Sequence, residues 1–229
     1  MTTWPCWRPR WSDGVTIVPR RIHLLALLAL VTGSLLLSAC QPAPRKLHGV
    51  PYDKPQPAPD LPLTDQYGRP FSLSTQKGKV VIVYFGYTSC PDVCPVTLAQ
   101  LTQVWVGLGP DQARLFQPIF VTVDPERDTE EVIARYLSAF DNAVGGDQGL
   151  GFIGLRGAPA ELDPVMAAYG AKAEKRPQPG SAVGYTVDHT ASIYVIDTAG
   201  ILQEWFPYGA SVDDILWDVR YLISKEAKK

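Results

Sequence analysis

The sequence predicts one α/β domain with a mixed central sheet flanked by helices, preceded by an N-terminal export segment. Two continuous apolar runs, typical of strands buried on both faces, alternate with segments whose apolar residues have helical spacing. A hairpin and a last helix follow them, an order that indicates layered α/β structure. The chain has 229 residues, of which 46% are hydrophobic, enough for one well-formed core and an appendage. Its net charge of -2 argues against nucleic-acid binding.

Residues 1–39 have the composition of a bacterial export signal. Four arginines between positions 8 and 21 precede an apolar stretch at 24–37, which is short for a stable membrane span of about 20 residues. The ending Leu-Ser-Ala-Cys resembles the lipobox of bacterial lipoproteins, which implies cleavage and lipidation of Cys40. Two or three acyl chains would anchor the protein firmly to the extracytoplasmic face of a bacterial membrane. An uncleaved anchor helix is the alternative, and it also places the domain outside the cytoplasm.

Residues 41–60 are rich in proline and alanine and predict a semi-rigid, extended tether. His48 lies in this segment and is interpreted as a solvated linker residue. The folded domain is therefore expected to cover residues 61–229.

The elements of that domain are predicted from apolar periodicity and turn residues. They are short extended segments around Tyr67-Gly68, a strand at 79–87, a helix at 96–108, a strand at 118–123, a helix at 128–140, a short strand at 152–155, a helix at 158–169, a hairpin turning at 198–200, and a helix at 211–224 with Ser211 as N-cap. This order is that of thioredoxin-like folds.

The stretch "YFGYTSCPDVCP" places two cysteines directly after the first buried strand. Cys90 is expected at the strand end and Cys94 in the first helical turn, where the positive helix end favours thiolate. Residues at i and i+4 share one helical face, so the sulfurs could close a disulfide or bind one ion between them. The spacing is one residue longer than Cys-x-x-Cys, which leaves a disulfide possible but favours a soft metal ion.

The other available ligand types favour copper among soft metals. Iron–sulfur clusters and closed structural zinc sites need more ligands than the predicted domain offers, whereas a site of two sulfurs and one imidazole suits copper. His189 precedes the first strand of the hairpin. In a thioredoxin-like domain that loop faces the cysteine turn, so His189 is the candidate third ligand.

Several stretches together resemble the Sco (SenC) family: "VIVYFGYTSCPDVCPVTLAQL", "VTVDPERDT", "GLRG" and "VDHTASIYVID". These are membrane-attached proteins of thioredoxin-like fold. The resemblance implies that Cys90, Cys94 and His189 bind Cu(I) or Cu(II). It further implies a metallochaperone whose partner is the CuA-bearing subunit of cytochrome c oxidase, to which it delivers copper or whose cysteines it reduces.

Four acidic residues are further candidates. Asp92, between the cysteines, and Asp188, beside His189, could tune a Cu(II) site or occasionally ligate it. Asp124 and Asp128 are interpreted as turn and helix-cap residues with a possible role near the metal or toward a partner.

The alternative function is a thiol-disulfide oxidoreductase acting on extracytoplasmic proteins. Cys90 would attack and Cys94 would resolve the mixed disulfide. Other copper carriers or thiol reductases would then be partners.

Overall fold

The computed structural model describes residues 46–142, 151–181 and 184–226. Within these ranges the chain forms nine strands and four α-helices. The strands are β1 (Val50–Pro57), β2 (Thr64–Asp65), β3 (Val80–Gly86), β4 (Phe116–Thr122), β5 (Ile153–Arg156), β6 (Ala173–Pro177), β7 (Tyr185–His189), β8 (Ile193–Ile196) and β9 (Ile201–Phe206). The helices are α1 (Val93–Ala113), α2 (Glu130–Asp141), α3 (Pro159–Tyr169) and α4 (Val212–Glu226).

A seven-stranded mixed sheet forms the centre of the domain. Its order is β1-β9-β8-β3-β4-β5-β2, with β3, β4 and β5 parallel and β8 antiparallel to both β3 and β9. Every residue of β3 and β4 is buried, as expected for strands that helices cover on both faces. The prediction of a mixed sheet in a thioredoxin-like fold is confirmed.

Helix α1 follows β3 directly and carries the second cysteine. It buries Cys94, Leu98, Leu101 and Val104 at the three- and four-residue spacing of one helical face. Near its end the helix is kinked at Gly109, which has φ 70° and precedes a proline. Such a backbone conformation costs glycine little, so the kink needs no compensation by packing. The observed helix, Val93–Ala113, is longer at both ends than the helix predicted at 96–108.

The other predicted helices are close to the observed ones. Helix α2 begins after Thr129, whose Oγ1 accepts a hydrogen bond from the Val132 N–H at 3.4 Å. Ser211 caps α4, because its Oγ accepts from the Asp214 N–H at 3.1 Å. The N-cap of α2 is thus Thr129, and the neighbouring Asp128 has another role, described below.

Strands β6 and β7 form a separate two-stranded sheet that the sequence did not predict. They pair antiparallel from Ala173 opposite His189 to Pro177 opposite Tyr185. His189 is therefore the last residue of a strand and does not lie in a free loop before β8. We call β6, β7 and their connection the hairpin sheet.

The prediction that residues 41–60 form a tether is wrong from residue 47 onward. The compact unit begins at Leu47, and β1 pairs antiparallel with β9 at the edge of the main sheet. Proline is tolerated there because an edge strand has one side whose N–H groups need no partner strand. The folded domain is thus longer at its N-terminus than predicted.

His48 is likewise not a solvated linker residue. Its backbone N–H donates to Asp218 Oδ2 at 2.7 Å, and its Nδ1 lies 3.0 Å from Asp218 Oδ1. The ring contacts Trp217 edge-on, with centroids 4.8 Å apart. Since Asp218 is fully buried in α4, His48 joins the start of the domain to its last helix.

The predicted signal peptide, residues 1–39, and Cys40 lie outside the described residues. No helix in the described part of the chain combines the length and hydropathy needed to cross a bilayer.

Candidate metal centre

The loop between β3 and α1 places both cysteines at the end of the main sheet. Cys90 closes a turn by donating its N–H to the Tyr87 carbonyl at 3.2 Å, and Cys94 is the second residue of α1. Cys94 is fully buried, whereas Cys90 is half-buried. Cys90, the cysteine expected to attack a substrate disulfide, is therefore the more accessible of the two sulfurs.

His189 reaches the cysteines from the hairpin sheet. Its Nε2 lies 3.4 Å from Cys94 Sγ. The two sulfurs and one imidazole nitrogen all lie within 4.8 Å of one another. This is the one His/Cys/Asp/Glu cluster in the described residues with donor atoms arranged for a metal ion. The structure thus brings together the three residues predicted from the sequence.

The tautomer of His189 is assigned from its second ring nitrogen. Nδ1 lies 3.3 Å from the carbonyl oxygen of Thr190, which can only accept. A proton on Nδ1 satisfies that contact and leaves the lone pair of Nε2 directed at the cysteines. The imidazole therefore has the form that a metal ligand needs.

The two sulfurs differ in protonation. The Cys94 thiol donates to Cys90, and this bond, together with the peptide N–H groups of Asp92 and Cys94, lowers the pKa of Cys90 well below its ordinary value. The same pairing and burial raise the pKa of Cys94 well above its ordinary value. The pair consequently holds one proton, with the thiolate on the accessible Cys90.

Aromatic side chains surround the buried side of the cluster. Tyr84 donates its hydroxyl to Cys94 Sγ at 3.3 Å, and burial keeps the pKa of Tyr84 far above its ordinary value. The rings of Tyr84 and Tyr87 both contact the His189 ring edge-on, at centroid distances of 6.1 and 5.7 Å. These contacts restrict the imidazole from two sides. The aromatic run before the cysteines is the one feature of the sequence that could have indicated this role.

Gly86, the last residue of β3, allows Cys94 to approach the strand. A Cβ at this position would lie 2.9 Å from Cys94 Sγ and equally close to the rings of Phe120 and Tyr84. A buried sulfur and two aromatic rings cannot yield easily at that distance in a close-packed core. The absence of a side chain at Gly86 is therefore part of how the site is built.

The two acidic residues beside the ligands do not direct carboxylates into the cluster. Asp92 is exposed and precedes α1, and only its backbone N–H contacts the Cys90 sulfur. Asp188 is exposed on the opposite face of β7 from His189 and accepts from Arg176 Nε at 2.8 Å. The expectation that these carboxylates could ligate the metal is not supported by their placement.

Asp128 supports the cysteine loop from below. Fully buried, it accepts from the Thr88 N–H at 3.0 Å, the Thr88 hydroxyl at 2.6 Å and the Thr122 hydroxyl at 2.5 Å. Thr88 is two residues before Cys90, so Asp128 fixes the start of the loop against the end of β4. Burial raises the pKa of Asp128, although the three hydrogen bonds oppose that change.

Asp124 is also fully buried, but it faces the hairpin sheet. It forms an ion pair with Arg127 and accepts from the Tyr185 hydroxyl at 2.7 Å. Neither Asp124 nor Asp128 belongs to the cluster of donor atoms. The sequence analysis interpreted both mainly as structural residues, and the structure gives each a structural partner.

A thioredoxin-like domain with two cysteines and one histidine converging in this way defines a class of thiol proteins able to bind a soft metal ion or to form a disulfide. A family model described as SCO1/SenC matches residues 52–224. The chain belongs to the SCO1/SenC family, as its motifs predicted.

Individual relatives agree with this assignment. The mitochondrial SCO2 homolog of Mus musculus is 32% identical over 162 residues, which are 70% of this chain and 60% of the relative. The chain thus matches a little over half of that curated relative. ScoI of Bradyrhizobium japonicum, solved with copper bound, is 36% identical with a TM-score of 0.62, over 73% of this chain and 99% of that one. Apo Sco1 of Thermus thermophilus is 34% identical with a TM-score of 0.66, over 79% and 99%.

Proposed function

We propose that this chain is an extracytoplasmic, membrane-anchored copper chaperone that binds one copper ion through Cys90, Cys94 and His189. The observation that carries the proposal is the convergence of two sulfurs and one imidazole nitrogen within 4.8 Å. Thiolate and imidazole are donors that copper prefers over hard oxygen sites. The copper-bound ScoI of Bradyrhizobium japonicum, with the same overall fold, supports this choice of metal.

The cargo would be passed to the CuA-bearing subunit of cytochrome c oxidase. A three-ligand site leaves a coordination position for an incoming ligand, which permits exchange without prior release. Cys90 is half-buried, and His189 borders an open cleft of about 580 Å³ that also includes Lys172 and Met166. An acceptor's ligand can therefore approach the donors from solvent. The family resemblance supports the identity of the acceptor.

The membrane anchor is proposed from the N-terminal sequence. A basic segment, an apolar stretch and the ending Leu-Ser-Ala-Cys support cleavage before Cys40 and its lipidation. Expression in a bacterium with a labelled fatty acid tests this part. Label and membrane association should both be lost in Cys40→Ser, and retention of both would contradict the lipid anchor.

The copper site is tested by anaerobic titration with Cu(I) in competition with a chelator. The parent domain should bind about one copper ion. Cys90→Ser and Cys94→Ser should abolish binding, and His189→Ala should weaken it by at least the roughly 10- to 100-fold that is lost when a residue orienting a ligand is removed. His48→Ala is the matched control, because His48 is bound to α4 and should leave the affinity unchanged.

The proposal fails on a particular combination of results. If His189→Ala bound copper as tightly as the parent while the parent rapidly reduced the disulfides of insulin, copper transport would not be the function of this site. The thiol chemistry alone would then explain the cluster.

The alternative function, a thiol-disulfide oxidoreductase, has one specific observation in its favour. The two cysteines differ in ionisation. Cys90, with its lowered pKa, would attack a substrate disulfide and release one substrate thiolate. Cys94 would then displace the second substrate thiol and leave a Cys90–Cys94 disulfide. Another thiol reductase must supply two electrons to restore the dithiol. The insulin assay above therefore discriminates between the two functions.

A further inference from the structure

The hairpin sheet that carries His189 is bound to the loop after β4 by one arginine. The Arg127 guanidinium lies over the ring of Tyr185, 3.8 Å from its centroid, and its Nη1 donates to the Tyr185 carbonyl at 3.0 Å. The same guanidinium forms an ion pair with Asp124. Arg127 therefore contacts both the ring and the backbone of the first residue of β7.

Tyr185 completes this connection from its own side. Its hydroxyl donates to Asp124 Oδ1 at 2.7 Å, and Asp124 is fully buried. A buried carboxylate is costly unless it is paired. Asp124 is therefore stabilised by its ion pair with Arg127 and its hydrogen bond from Tyr185. The hairpin sheet cannot move away without breaking the hydrogen bond from Tyr185.

Tyr87 connects the arginine to the metal ligand. Its ring lies 5.6 Å from the Arg127 guanidinium carbon and 5.7 Å from the His189 ring. Its hydroxyl accepts from the Val187 N–H at 3.3 Å. Tyr87 is therefore in contact with the arginine, the middle of β7 and the imidazole.

His189 lies on the same face of β7 as Tyr185, so the contacts that hold Tyr185 also orient His189. Side chains two residues apart in a strand share a face, so Tyr185, Val187 and His189 all face the main domain. Val187 is buried, whereas Asp188 on the other face is exposed. Among the described residues, β6 and β7 share no ladder with the seven-stranded sheet. Side-chain contacts along this face, together with the short link from His189 to β8, therefore hold the imidazole near the cysteines.

We propose that Arg127 and Tyr185 are positioning residues that hold His189 within reach of Cys90 and Cys94. The inference rests on the proposed metal function and deepens it. The "DPERDT" segment, which includes Asp124 and Arg127, thereby acquires a definite role: it is the surface against which the third ligand is held.

The test is a double-mutant cycle on copper affinity between Tyr185→Leu and His189→Ala. Tyr185→Leu removes the hydroxyl and the ring that Arg127 contacts. It should weaken copper binding by about tenfold, the lower end of the range for residues that orient metal ligands. In the His189→Ala background the same substitution should have no further effect, since there is no imidazole left to position.

A spectroscopic measurement separates positioning from a general loss of structure. Nitrogen coupling in the electron paramagnetic resonance spectrum of the Cu(II) form should weaken or disappear in Tyr185→Leu. The same loss is expected in His189→Ala. Tyr185→Phe retains the ring and should recover most of the nitrogen signal and affinity. Arg176→Gln is the matched control, because Arg176 lies on the exposed side of the hairpin sheet and pairs with Asp188.

The outcomes are distinguishable from those of the proposed function. Equal losses of affinity from Tyr185→Leu in both backgrounds, with nitrogen coupling intact, would overturn the positioning role while leaving the copper site in place. If His189→Ala alone has no effect, the proposed ligand set itself is wrong, and the positioning role is overturned with it. Arg127→Lys is a supplementary variant that keeps a charge beside the buried Asp124. It should retain folding but lose part of the affinity.

Discussion

Two polar clusters in the described part of the domain each include one histidine, and they differ in what their donor atoms can still bind. The thiol cluster consists of Cys90, Cys94 and His189. The carboxyl cluster consists of Glu204 on β9, Asp218 on α4 and His48. Both hold a histidine against two acidic groups contributed by other parts of the chain.

In the carboxyl cluster both acidic groups are enclosed by the protein. Asp218 accepts from the N–H groups of His48 and Gly49 and lies 3.0 Å from His48 Nδ1. Glu204 is fully buried beside it, and burial together with the Asp218 carboxyl raises the pKa of Glu204 to about 8. Neither Glu204 oxygen has a hydrogen-bond partner among the described residues, so Asp218 is the residue that joins the first residues of the domain to the last helix.

In the thiol cluster, by contrast, the acidic group of Cys90 is half-buried, and the donor atoms include two sulfurs. A soft, accessible thiolate can exchange a ligand with solvent or with a partner, whereas fully buried carboxyl groups contribute to folding. Composition alone does not separate the two clusters. Exposure and the softness of the donor atoms do.

The largest effect is expected from Asp218→Ala in the carboxyl cluster. The substitution leaves two N–H groups and an imidazole without their acceptor, and should lower the free energy of unfolding by about 3 kcal/mol. Copper affinity of the folded protein should be unchanged. Chemical denaturation and copper titration check this, with the exposed Asp213→Ala on the same helix as control. A large loss of copper affinity in the folded variant would show that the two clusters are coupled.

A smaller effect is expected from a change in pH, which should alter the affinity for copper. Cys90 is already ionised, but Cys94 has a raised pKa and must lose its proton to bind. Affinity should therefore rise by about tenfold per pH unit, one proton released per ion. Titrations between about pH 7.5 and 9, where an ordinary imidazole is neutral, check the slope. An affinity independent of pH would mean that both cysteines are ionised before the metal arrives.

The smallest effect is expected from substitution of Glu204. Here the stability of the fold should fall as pH rises, whereas copper affinity should increase. Its folded pKa is raised from 4.5 to about 8, so the folded state binds more protons than the unfolded state between these values. The contribution to stability is fully present below about pH 4.5 and is lost as pH rises through about 8. Glu204→Gln should flatten that dependence and stabilise the domain by about 1 kcal/mol at pH 8.

Denaturant unfolding at several pH values measures this difference. The matched control is Glu174→Gln, an exposed residue paired with Arg176 at the surface, where an ion pair contributes little. Equal pH dependence in the parent and in Glu204→Gln would contradict the protonated state of Glu204.

The centre of the fold could be predicted from the sequence because local residue patterns identify its strands. The runs that became β3 and β4 are mostly apolar, and Thr198-Ala199-Gly200 marks the turn between β8 and β9. The cysteine pair was predicted from its spacing. His189 could be placed beside it only because the order of elements indicated which loop faces the cysteine turn.

Other features were missed because tertiary contacts decide them. The segment of β1 is rich in proline and becomes a strand only because β9 offers it an edge. Strands β6 and β7 are short and largely polar, with little apolar alternation for a sequence pattern to detect. The partners of Asp124 and Asp128 come from segments distant in sequence, so their burial could not be inferred from a local motif.

The placement of His189 on a separate sheet gives the proposed cargo a mechanical role. Cys94 and His189 are 95 residues apart in the chain, and an ion bound by both would cross-link helix α1 to the hairpin sheet. A covalent link across a loop of that length stabilises a fold by roughly 4–5 kcal/mol, and reversible coordination would supply part of that. The loaded carrier would then resist proteases that cut the empty one at the hairpin sheet, so a cell could remove carriers according to whether they hold metal.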